Sequence, residues 1–589
     1  MNSSVKSPRL GSSSVIGSRF PRWALLALPP VVFLVVFLLA PTVRLLLEGL
    51  KTPAAELWAF LLERYTLNKL VWTLSSALIS TALCVLIAWP TALVLSSYRF
   101  RGKAALLRAS LLPFVVPAPV AGLGLLALYG NRGLSGLDLQ DTAALVLLGN
   151  LFYNLPLCVR LLHAGFQRLD ASQLEVARVL GASRARRTLK ILLPQMTPAL
   201  RSASSLTFLY TFTAFGLPLI LGGEKYGTLE VYLYTLVSGQ LALGQAGVLT
   251  VLQLVVTGLV VWVYTRLDRT IVTNTRARPP RERPPRTLLE RLALTLALAL
   301  LMLISFVPLL AVLYRAFVGS DGFTLGFFSK LNNDERGVPV LELLRNSLEF
   351  ALLATLSSLT LGLLHALAVW TLERRKGADS SRVADFEEPQ QAQRATCQSP
   401  LQPLQTASSR RGVFRNWKPP RTSLPGVLDL LTLLPLMTSA ISVSVGYLLL
   451  YPAWTAHSGL LIAVYTLFAT PLVARALLPA LRRLSPSVLE AARLLGGGGP
   501  RLLLRFVLPA VLPALRGGVA LALASALGEF ASTLVLSSPS SSTLTVGIFE
   551  RLGRPGAQNL GEAFALSSVL LALTLLCFWL LEPPRSDER

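Results

Sequence analysis

Two related stretches of the sequence decide the fold: LEVARVLGASRARRTLKILLPQMTPAL at 174–200 and LEAARLLGGGGPRLLLRFVLPAVLPAL at 489–515. Both contain Glu, one residue, Ala, three residues and Gly, followed after eleven residues by Leu-Pro. Their apolar residues recur every three or four positions, which indicates a short helix with one apolar stripe. Glycine allows the left-handed turn that ends such a helix, and proline is favoured in the first turn of the next one. Each stretch therefore predicts a short helix, a glycine cap and the start of a second helix.

Both stretches lie inside a long internal repeat. When the sequence is shifted by 315 residues, 151–237 superposes on 466–552 without a gap. The matched pairs include Pro156 with Pro471, Arg160 with Arg475, Gly181 with Gly496, Pro194 with Pro509 and Phe215 with Phe530. A shared hydrophobic bias would align leucines, but it would not align this series of Gly, Pro, Arg and Phe residues. Such self-similarity indicates a fold built from two equivalent units.

The composition places both units in a membrane. The chain has 589 residues, of which 53% are hydrophobic and 14% are charged, whereas charged residues make up about 25% of a typical soluble domain. Several segments of about 20 residues carry almost no charge, and that length is enough to cross about 30 Å of hydrocarbon. The sequence thus predicts an all-α, polytopic membrane protein and excludes an intrinsically disordered chain.

Twelve segments are predicted to span the membrane, six in each unit. They lie near 24–47, 70–96, 105–129, 142–165, 201–222, 244–266, 291–316, 345–371, 426–451, 458–481, 516–537 and 561–582. Because six is an even number, the units share one orientation, and two parallel repeats are related by an axis along the membrane normal. The predicted segments are a tail at 1–23, a first repeat at 24–266, a basic, proline-rich linker at 267–290, a second repeat at 291–582 and a tail at 583–589.

Membrane orientation, rather than nucleic-acid binding, explains the net charge of +25. Most Lys and Arg residues fall in segments on the N-terminal side of the membrane, and the positive-inside rule assigns that side to the cytoplasm. Both termini, the linker and the two deciding stretches are therefore predicted to be cytoplasmic. The second repeat also carries an extra segment at 377–422, whose Gln, Ser, Pro and Arg content predicts a disordered cytoplasmic loop.

The sequence offers little for catalysis or for metal binding. Its four cysteines form no CxxC pair and its three histidines are scattered, so no disulfide framework or metal site is predicted. The segment LGGEKYG at 221–227 lacks the spacing of a phosphate-binding G-x-x-x-x-G-K-[ST] loop. No Ser-His-Asp or HExxH arrangement is visible. We therefore predict a protein that is not an enzyme, needs no cofactor and takes its energy from another chain.

The deciding stretches resemble the EAA loop of permease subunits in binding-protein-dependent ABC importers. That loop reads Glu-Ala-Ala, three residues, Gly, nine residues and I-x-L-P; the first copy departs from it at Val176 and the second at Phe506. The resemblance implies a MetI-like permease core in each repeat and a location in the bacterial inner membrane.

In that family the loop is a coupling helix that enters a groove of a cytoplasmic ATPase. The resemblance therefore implies coupling segments at 168–200 and 483–515, two ATPase subunits as partners, and an extracytoplasmic binding protein that delivers a small-molecule solute. The residues that it assigns to ATPase coupling are Glu175, Ala177, Gly181, Pro194, Glu490, Ala492, Gly496 and Pro509.

The resemblance also places the substrate path between the repeats, along the fifth span of each. These spans are LTFLYTFTAFGLPLILGG (206–223) and LALASALGEFASTLVLSS (521–538). Glu529 is the notable charge in them, and a carboxylate within a span is a candidate functional group; pairing or packing across the interface is the alternative role. The pathway residues suggested are Tyr210, Phe212, Thr213, Phe215, Glu529, Phe530 and Ser532.

Two solutes fit the finer resemblance. Having both repeats in one chain resembles thiamine permeases and ferric-iron permeases, and LALYGNRGLSG (126–136) and LFYNLPLCVRLL (151–162) look like segments of thiamine permeases. Thiamine or its phosphates is therefore the expected solute, with ferric iron as the alternative. An ion-coupled secondary transporter is the competing class, but it calls for ionisable residues in several spans, and Glu529 is nearly alone.

Overall fold

A computed structural model describes residues 22–110, 112–131, 133–268, 282–319, 322–331, 338–395, 424–432, 434–455, 457–494 and 500–581. These residues are almost entirely helical, and the strands among them form one small antiparallel hairpin, β1 (Val318–Gly319) with β2 (Gly322–Phe323). The all-α prediction is confirmed.

The helices follow one another in the same order in both repeats. Those of the first repeat are α1 (Arg22–Leu34), α2 (Ala40–Leu50), α3 (Ala54–Leu62), α4 (Arg64–Ser97), α5 (Lys103–Ala109), α6 (Leu112–Val115), α7 (Ala118–Tyr129), α8 (Ala143–Phe166), α9 (Ala171–Val179), α10 (Arg184–Arg187), α11 (Leu193–Phe212), α12 (Gly216–Leu221), α13 (Leu229–Ser238) and α14 (Leu243–Asp268). Those of the second repeat are α15 (Leu288–Phe317), α16 (Gly326–Lys330), α17 (Val340–Ala395), α18 (Leu424–Leu431), α19 (Leu434–Met437), α20 (Ala440–Leu450), α21 (Ser458–Arg482), α22 (Pro486–Leu494), α23 (Pro500–Leu502), α24 (Leu508–Leu527), α25 (Ala531–Leu536), α26 (Leu544–Gly553) and α27 (Ala557–Leu581). Shorter turns are π-helical at Val35–Leu39, Thr188–Leu192 and Leu503–Val507, and 3₁₀-helical at Pro452–Trp454 and Pro539–Ser541.

Not all of the predicted spans are continuous. Within the described residues, nine helical segments are long and apolar enough to cross a membrane, and a tenth candidate, Lys103–Val115 with Ala118–Tyr129, is bent by 100°. Three further predicted spans are divided: 201–222 between α11 and α12, 426–451 among α18, α19 and α20, and 516–537 between α24 and α25.

Proline and an alternative hydrogen-bond donor account for the break in the fifth span. Pro218 in α12 has no N–H to give to the carbonyl of Ala214, four residues earlier. The hydroxyl of Thr228 donates to that carbonyl instead, over 2.8 Å. The freed acceptor is therefore satisfied by the loop that follows α12.

The extra segment of the second repeat is partly helical. The eighth span continues to the end of α17 at Ala395, so the prediction of a disordered loop is wrong for 377–395. This stretch retains helix formers such as Ala378, Arg382 and Glu387, and extending an existing helix avoids the unfavourable nucleation step. The remainder, 396–422, lies outside the described residues.

The same hydrogen bonds recur in both repeats. Thr73 Oγ1 on α4 accepts from the backbone N–H of Leu229 over 2.8 Å, and Ser347 Oγ on α17 accepts from that of Leu544 over 2.9 Å. Leu229 and Leu544 are repeat equivalents and begin α13 and α26. The duplication seen in the sequence is thus present in the packing.

The first span of each repeat packs against the other repeat. The backbone of Gly124 in α7 lies against the carbonyl of Pro308 in α15, and the backbone of Gly446 in α20 lies against the carbonyl of Pro41 in α2. A Cβ on either glycine would stand 2.4 Å from the carbonyl oxygen, so only glycine permits this approach. These two contacts interlock the repeats and fix the relative position of their fifth spans.

Candidate functional site

The first coupling segment has the structure that its sequence predicts. Asp170 caps α9 by accepting a hydrogen bond from the backbone N–H of Ser172 over 3.2 Å. Gly181 then adopts φ +77°, the left-handed conformation that glycine takes at little cost. Within the described structure, no atom lies within 4 Å of the place where its Cβ would stand. A side chain at this position would therefore meet backbone strain rather than a clash.

The second coupling segment is packed more deeply than the first. Ala492 in α22 is 2% exposed, whereas its counterpart Ala177 in α9 is half-buried. Glu175 and Glu490 are exposed in both copies. Gly496 lies outside the described residues, so its predicted cap stays a prediction.

Apolar side chains stand in solvent at equivalent places in the two segments. Val179 is 86% exposed and its repeat equivalent Leu494 is 88% exposed. Val176 and Val488, at the earlier turns, are also exposed. A single exposed apolar residue is ordinary; here the exposure recurs at the equivalent positions Val179 and Leu494. We call Val176 with Val179, and Val488 with Leu494, the apolar tips of the coupling segments.

Within each coupling segment, a π-helical turn leads into the first helix of the fifth span, α11 or α24. Thr188–Leu192 and Leu503–Val507 are repeat equivalents, and Pro194 and Pro509 follow them in the first turns of α11 and α24. Leu193 donates its N–H to the carbonyl of Thr188, five residues earlier, next to a proline that cannot donate at all. Such turns occur frequently at functional sites, and here both copies stand between the coupling segments and the centre.

Four aromatic rings meet between the repeats, one from each fifth span and one from each of the short helices α13 and α26. Phe215 and Phe530, repeat equivalents at the break of each span, stack with ring centroids 5.9 Å apart and planes inclined by 28°. Tyr234 of α13 packs edge-on against Phe215 at 5.5 Å, and Phe549 of α26 packs against Phe530 at 5.3 Å. Tyr234 and Phe549 are also equivalents under the 315-residue shift. We call these four rings the aromatic gate; contact between equivalent residues places it on the axis that relates the repeats.

Glu529 lies directly before the gate residue Phe530, between α24 and α25. Its Oε1 accepts a hydrogen bond from the backbone N–H of Ser532 over 3.0 Å, which caps the N-terminus of α25, where negative charge is favoured. No Lys or Arg among the described residues forms an ion pair with it. The side chain is partly exposed, and its repeat counterpart is Ala214.

Two other predicted pathway residues pack along the fifth span below the gate. Tyr210 packs against Phe114, with ring centroids 5.7 Å apart. Phe212 is buried and stacks on Phe208 at 5.8 Å. These rings support α11, and the structure does not place them in the gate itself.

The two predicted hydroxyl residues flank the breaks. Thr213 donates its hydroxyl to the carbonyl of Leu209, four residues earlier. Ser532 is buried and offers its backbone N–H to Glu529. Of the seven predicted pathway residues, the structure therefore brings Phe215, Phe530 and Glu529 together at the centre.

Sequence reasoning missed Tyr234, Phe549 and Glu230. The first two are matched aromatics in the repeat, so a search for matched aromatic pairs finds them. Glu230 sits in α13, which is too short to be predicted as a span, yet it is 1% exposed. It is a buried acid four residues before Tyr234 of the gate, so Glu529 is not the nearly solitary acid that the sequence suggested.

Among the described residues, no group of three or more His, Cys, Asp or Glu side chains is arranged to hold a metal ion.

Two regions of the chain, 23–273 and 413–582, match the family model described as binding-protein-dependent transport system inner membrane component. They fall in the first and second repeats. The family accounts for the paired coupling segments, and the competing interpretation as an ion-coupled secondary transporter has no support in this match.

Relatives with named functions are transport permeases with different solutes. The chain is 31% identical over 253 residues to a molybdenum transport system permease protein of Mycobacterium tuberculosis, covering 41% of this chain and 92% of that protein. It is 32% identical over 232 residues to a probable sulfate transport system permease protein of Nephroselmis olivacea, covering 37% and 80%. It is 33% identical over 201 residues to a thiamine transport system permease protein of Brucella abortus, covering 32% and 37%.

Proposed function

The chain belongs to the family of binding-protein-dependent transport system inner membrane components, and we propose that it passes thiamine or its phosphates through the bacterial inner membrane. In this proposal, two cytoplasmic ATPases bind the coupling segments and an extracytoplasmic binding protein delivers the solute. Both termini lie in the cytoplasm. The observation that carries the proposal is the pair of equivalent coupling segments, each with an exposed apolar tip, that lead to one aromatic gate.

The apolar tips supply the docking energy. Burying a side chain such as Val179 or Leu494 in a groove contributes about 1.5–3 kcal/mol, and both side chains stand free in the described structure. Gly181 ends α9 immediately behind the first tip and so fixes the angle at which the tip is presented. The equivalent exposed residues Val179 and Leu494 fit two copies of one ATPase.

The described residues that lead from each coupling segment to the gate are helical. The chain runs from α10 or α23 through the π-turn into α11 or α24, and each of the latter two helices ends at the break that carries Phe215 or Phe530. A 20-residue helix is about 30 Å long and transmits a tilt at one end to the other. Movement of the two coupling segments therefore reaches the gate symmetrically.

The aromatic gate is the closed barrier in this proposal. Phe215 and Phe530 are buried against each other, and an apolar constriction excludes ions by dewetting. The solute crosses when the two rings separate, which requires α12 and α25 to move apart.

Charge at the gate favours a cationic solute. The thiazolium of thiamine carries a fixed positive charge, and aromatic faces attract a cation by about 0.5–2 kcal/mol. Glu529, the residue before Phe530, adds a carboxylate in the second repeat, where its Oε1 accepts from the N–H of Ser532. Sulfate is a dianion and would be repelled there, which supports the thiamine relative as the guide to this chain.

The test is reconstitution of the chain in proteoliposomes with its ATPases and binding protein. We expect ATP hydrolysis to rise when the binding protein carries thiamine, and labelled thiamine to accumulate inside. Thiamine phosphates, sulfate, molybdate and a ferric complex are assayed in parallel.

The outcomes test separately whether the chain is an importer permease and whether its solute is thiamine. Stimulation by sulfate, molybdate or ferric iron but not by thiamine would retain the importer and reject thiamine. No stimulation by any solute, in a complex that assembles, would reject the importer.

A further inference from the structure

A buried carboxylate joins the two repeats next to the gate. Glu230 of α13 is 1% exposed. One of its oxygens accepts from the amide of Gln253 on α14, and the other accepts from the hydroxyl of Ser439, at the N-terminus of α20. Gln253 belongs to the first repeat and Ser439 to the second. The carboxylate is thus enclosed by donors, one of which comes from the opposite repeat.

This bond has no symmetrical partner. The repeat equivalent of Glu230 is Thr545, which bonds only within the second repeat, to Thr543 and to the carbonyl of Glu529. The counterpart of Ser439 is Pro117, because LLP at 111–113 matches LLP at 433–435, and proline has no hydroxyl to donate. The cross-repeat bond therefore arises from two residues that are each unique to one repeat.

The same helix carries one ring of the gate. Glu230 and Tyr234 are four residues apart on α13 and so lie on one face. The ring of Tyr234 rests against Phe215. Separating α13 from α20 would move this ring and would break the bond between Glu230 and Ser439 in one step.

We propose that Glu230 is a positioning residue that latches the aromatic gate shut by binding Ser439 across the repeats. This inference rests on the proposed function, because it concerns the closed state of the same pathway. A buried carboxyl oxygen that loses its hydrogen-bond donor is costly to leave unpaired. The latch therefore stabilises the closed state for as long as Ser439 stays in place.

The first test uses the purified chain alone, with hydrogen–deuterium exchange of α13 and α20 as the readout. Ser439→Ala removes the cross-repeat donor, and we expect exchange of 229–238 to rise by about fivefold or more, within the range usual for coupled sites. Ser439→Thr keeps a hydroxyl that can donate to Glu230 and accept from the backbone N–H of Ser442 at the start of α20. Exchange of 229–238 in this variant should therefore match the wild type. Glu230→Gln keeps the shape and one neutral bond, and it should fall in between.

Thr250→Val is the matched control. Thr250 on α14 shares a hydrogen bond with Ser442 on α20 over 3.0 Å, so it also bridges the repeats while buried, but it carries no charge. Exchange in this variant should match the wild type, since the latch depends on the carboxylate.

The second test measures ATP hydrolysis in the reconstituted complex without binding protein. Ser439→Ala should hydrolyse ATP several-fold faster than the wild type, while Ser439→Thr and Thr250→Val should not. If Ser439→Ala and Glu230→Gln both fold and leave exchange and basal hydrolysis unchanged, the latch is rejected. If the wild-type complex shows no stimulation by any loaded binding protein, the importer is rejected, and the exchange result still decides the latch.

Discussion

The second span of each repeat is tied to the loop after the fifth span, but by different side chains. In the first repeat, Trp72 donates its indole N–H to the carbonyl of Tyr226 over 2.7 Å, and the two rings pack edge-on. In the second repeat, Asn346 takes the place of Trp72 and donates to the carbonyls of Ser540 and Ser542, each over 3.0 Å. An open cavity of about 560 Å³ lies beside Asn346. The tether is kept in both repeats, whereas the side chain that forms it is not.

The same division holds at the centre. The aromatic gate, the glycine contacts with Pro41 and Pro308 and the π-turns are matched between repeats. The carboxylates of Glu230 and Glu529 are not matched. In the proposed mechanism the shared features form the frame that moves, since both halves would have to move together. The unshared features would then respond to one solute or to one state.

The largest effect should come from Gly181, which ends α9, and from its repeat equivalent Gly496. A left-handed residue with a side chain costs about 1–2 kcal/mol, more for a β-branched one, and Gly181 is held at φ +77°. We expect solute uptake to fall to background in Gly181→Val, and equally in Gly496→Val, with membrane insertion intact.

Gly136→Val is the control for the glycine caps. Gly136 also has positive φ, +69°, and open space around it, but it lies in the loop between α7 and α8. Uptake should survive there. Normal uptake in one coupling variant but not in the other would show that the two segments are unequal.

The next effect should appear at the gate. Phe215→Ala and Phe530→Ala each remove one half of the stacked pair, and an aromatic contact is worth about 0.5–1.5 kcal/mol beyond its buried area. Basal ATP hydrolysis without binding protein should rise by about two- to tenfold in either variant, and by similar factors because the gate is symmetrical.

Phe323→Ala serves as the control for the gate. Its ring stacks on Phe317 at 6.1 Å in the outer hairpin and is mostly exposed. A rise in hydrolysis for only one of the two gate variants would contradict the symmetry.

Glu529, whose repeat counterpart is Ala214, should have a smaller effect on uptake, and one that depends on the solute. Glu529→Gln keeps an oxygen that can accept from the N–H of Ser532 and removes the charge. Thiamine uptake should fall several-fold while basal ATP hydrolysis stays unchanged. Unchanged uptake in Glu529→Gln, together with a destabilised Glu529→Ala, would assign the carboxylate to the cap of α25 alone.

The sequence predicts what is local or duplicated. The glycine turn at Gly181 follows from nearby residue types, and the equivalence of Phe215 and Phe530 follows from the repeat. Their contact across the axis is a tertiary fact: the family resemblance places both residues on the pathway but predicts no contact between them. The breaks in the third, fifth, ninth and eleventh spans escape a hydropathy window, which counts apolar residues whether or not the helix is continuous.

Contacts between distant helices are beyond such patterns. Glu230 lies in a ten-residue helix, shorter than the roughly 20 residues of a span, so the pattern predicts a loop there. Its partner Ser439 is some two hundred residues away in the second repeat. The helix through 377–395 was also missed, because composition predicts disorder without regard to the helix that precedes it.

The smallest effect should come from the matched tethers of α13 and α26. Thr73→Ala and Ser347→Ala each leave a buried backbone N–H, of Leu229 or Leu544, without its acceptor, at a cost of about 1–3 kcal/mol. Because the two bonds differ by only 0.1 Å, from 2.8 to 2.9 Å, thermal unfolding in detergent should show equal losses of stability. The loss of stability in the double variant should equal the sum of the two single losses within about 0.5 kcal/mol, as expected for distant sites.

Thr81→Ala is the control, because the hydroxyl of Thr81 donates to the carbonyl of Ala77 in its own helix. Its stability should change by less than about 0.5 kcal/mol. Clearly unequal losses for Thr73 and Ser347 would mean that the duplication has kept the hydrogen bond but not its energetic weight, and the frame could then no longer be treated as two equivalent halves.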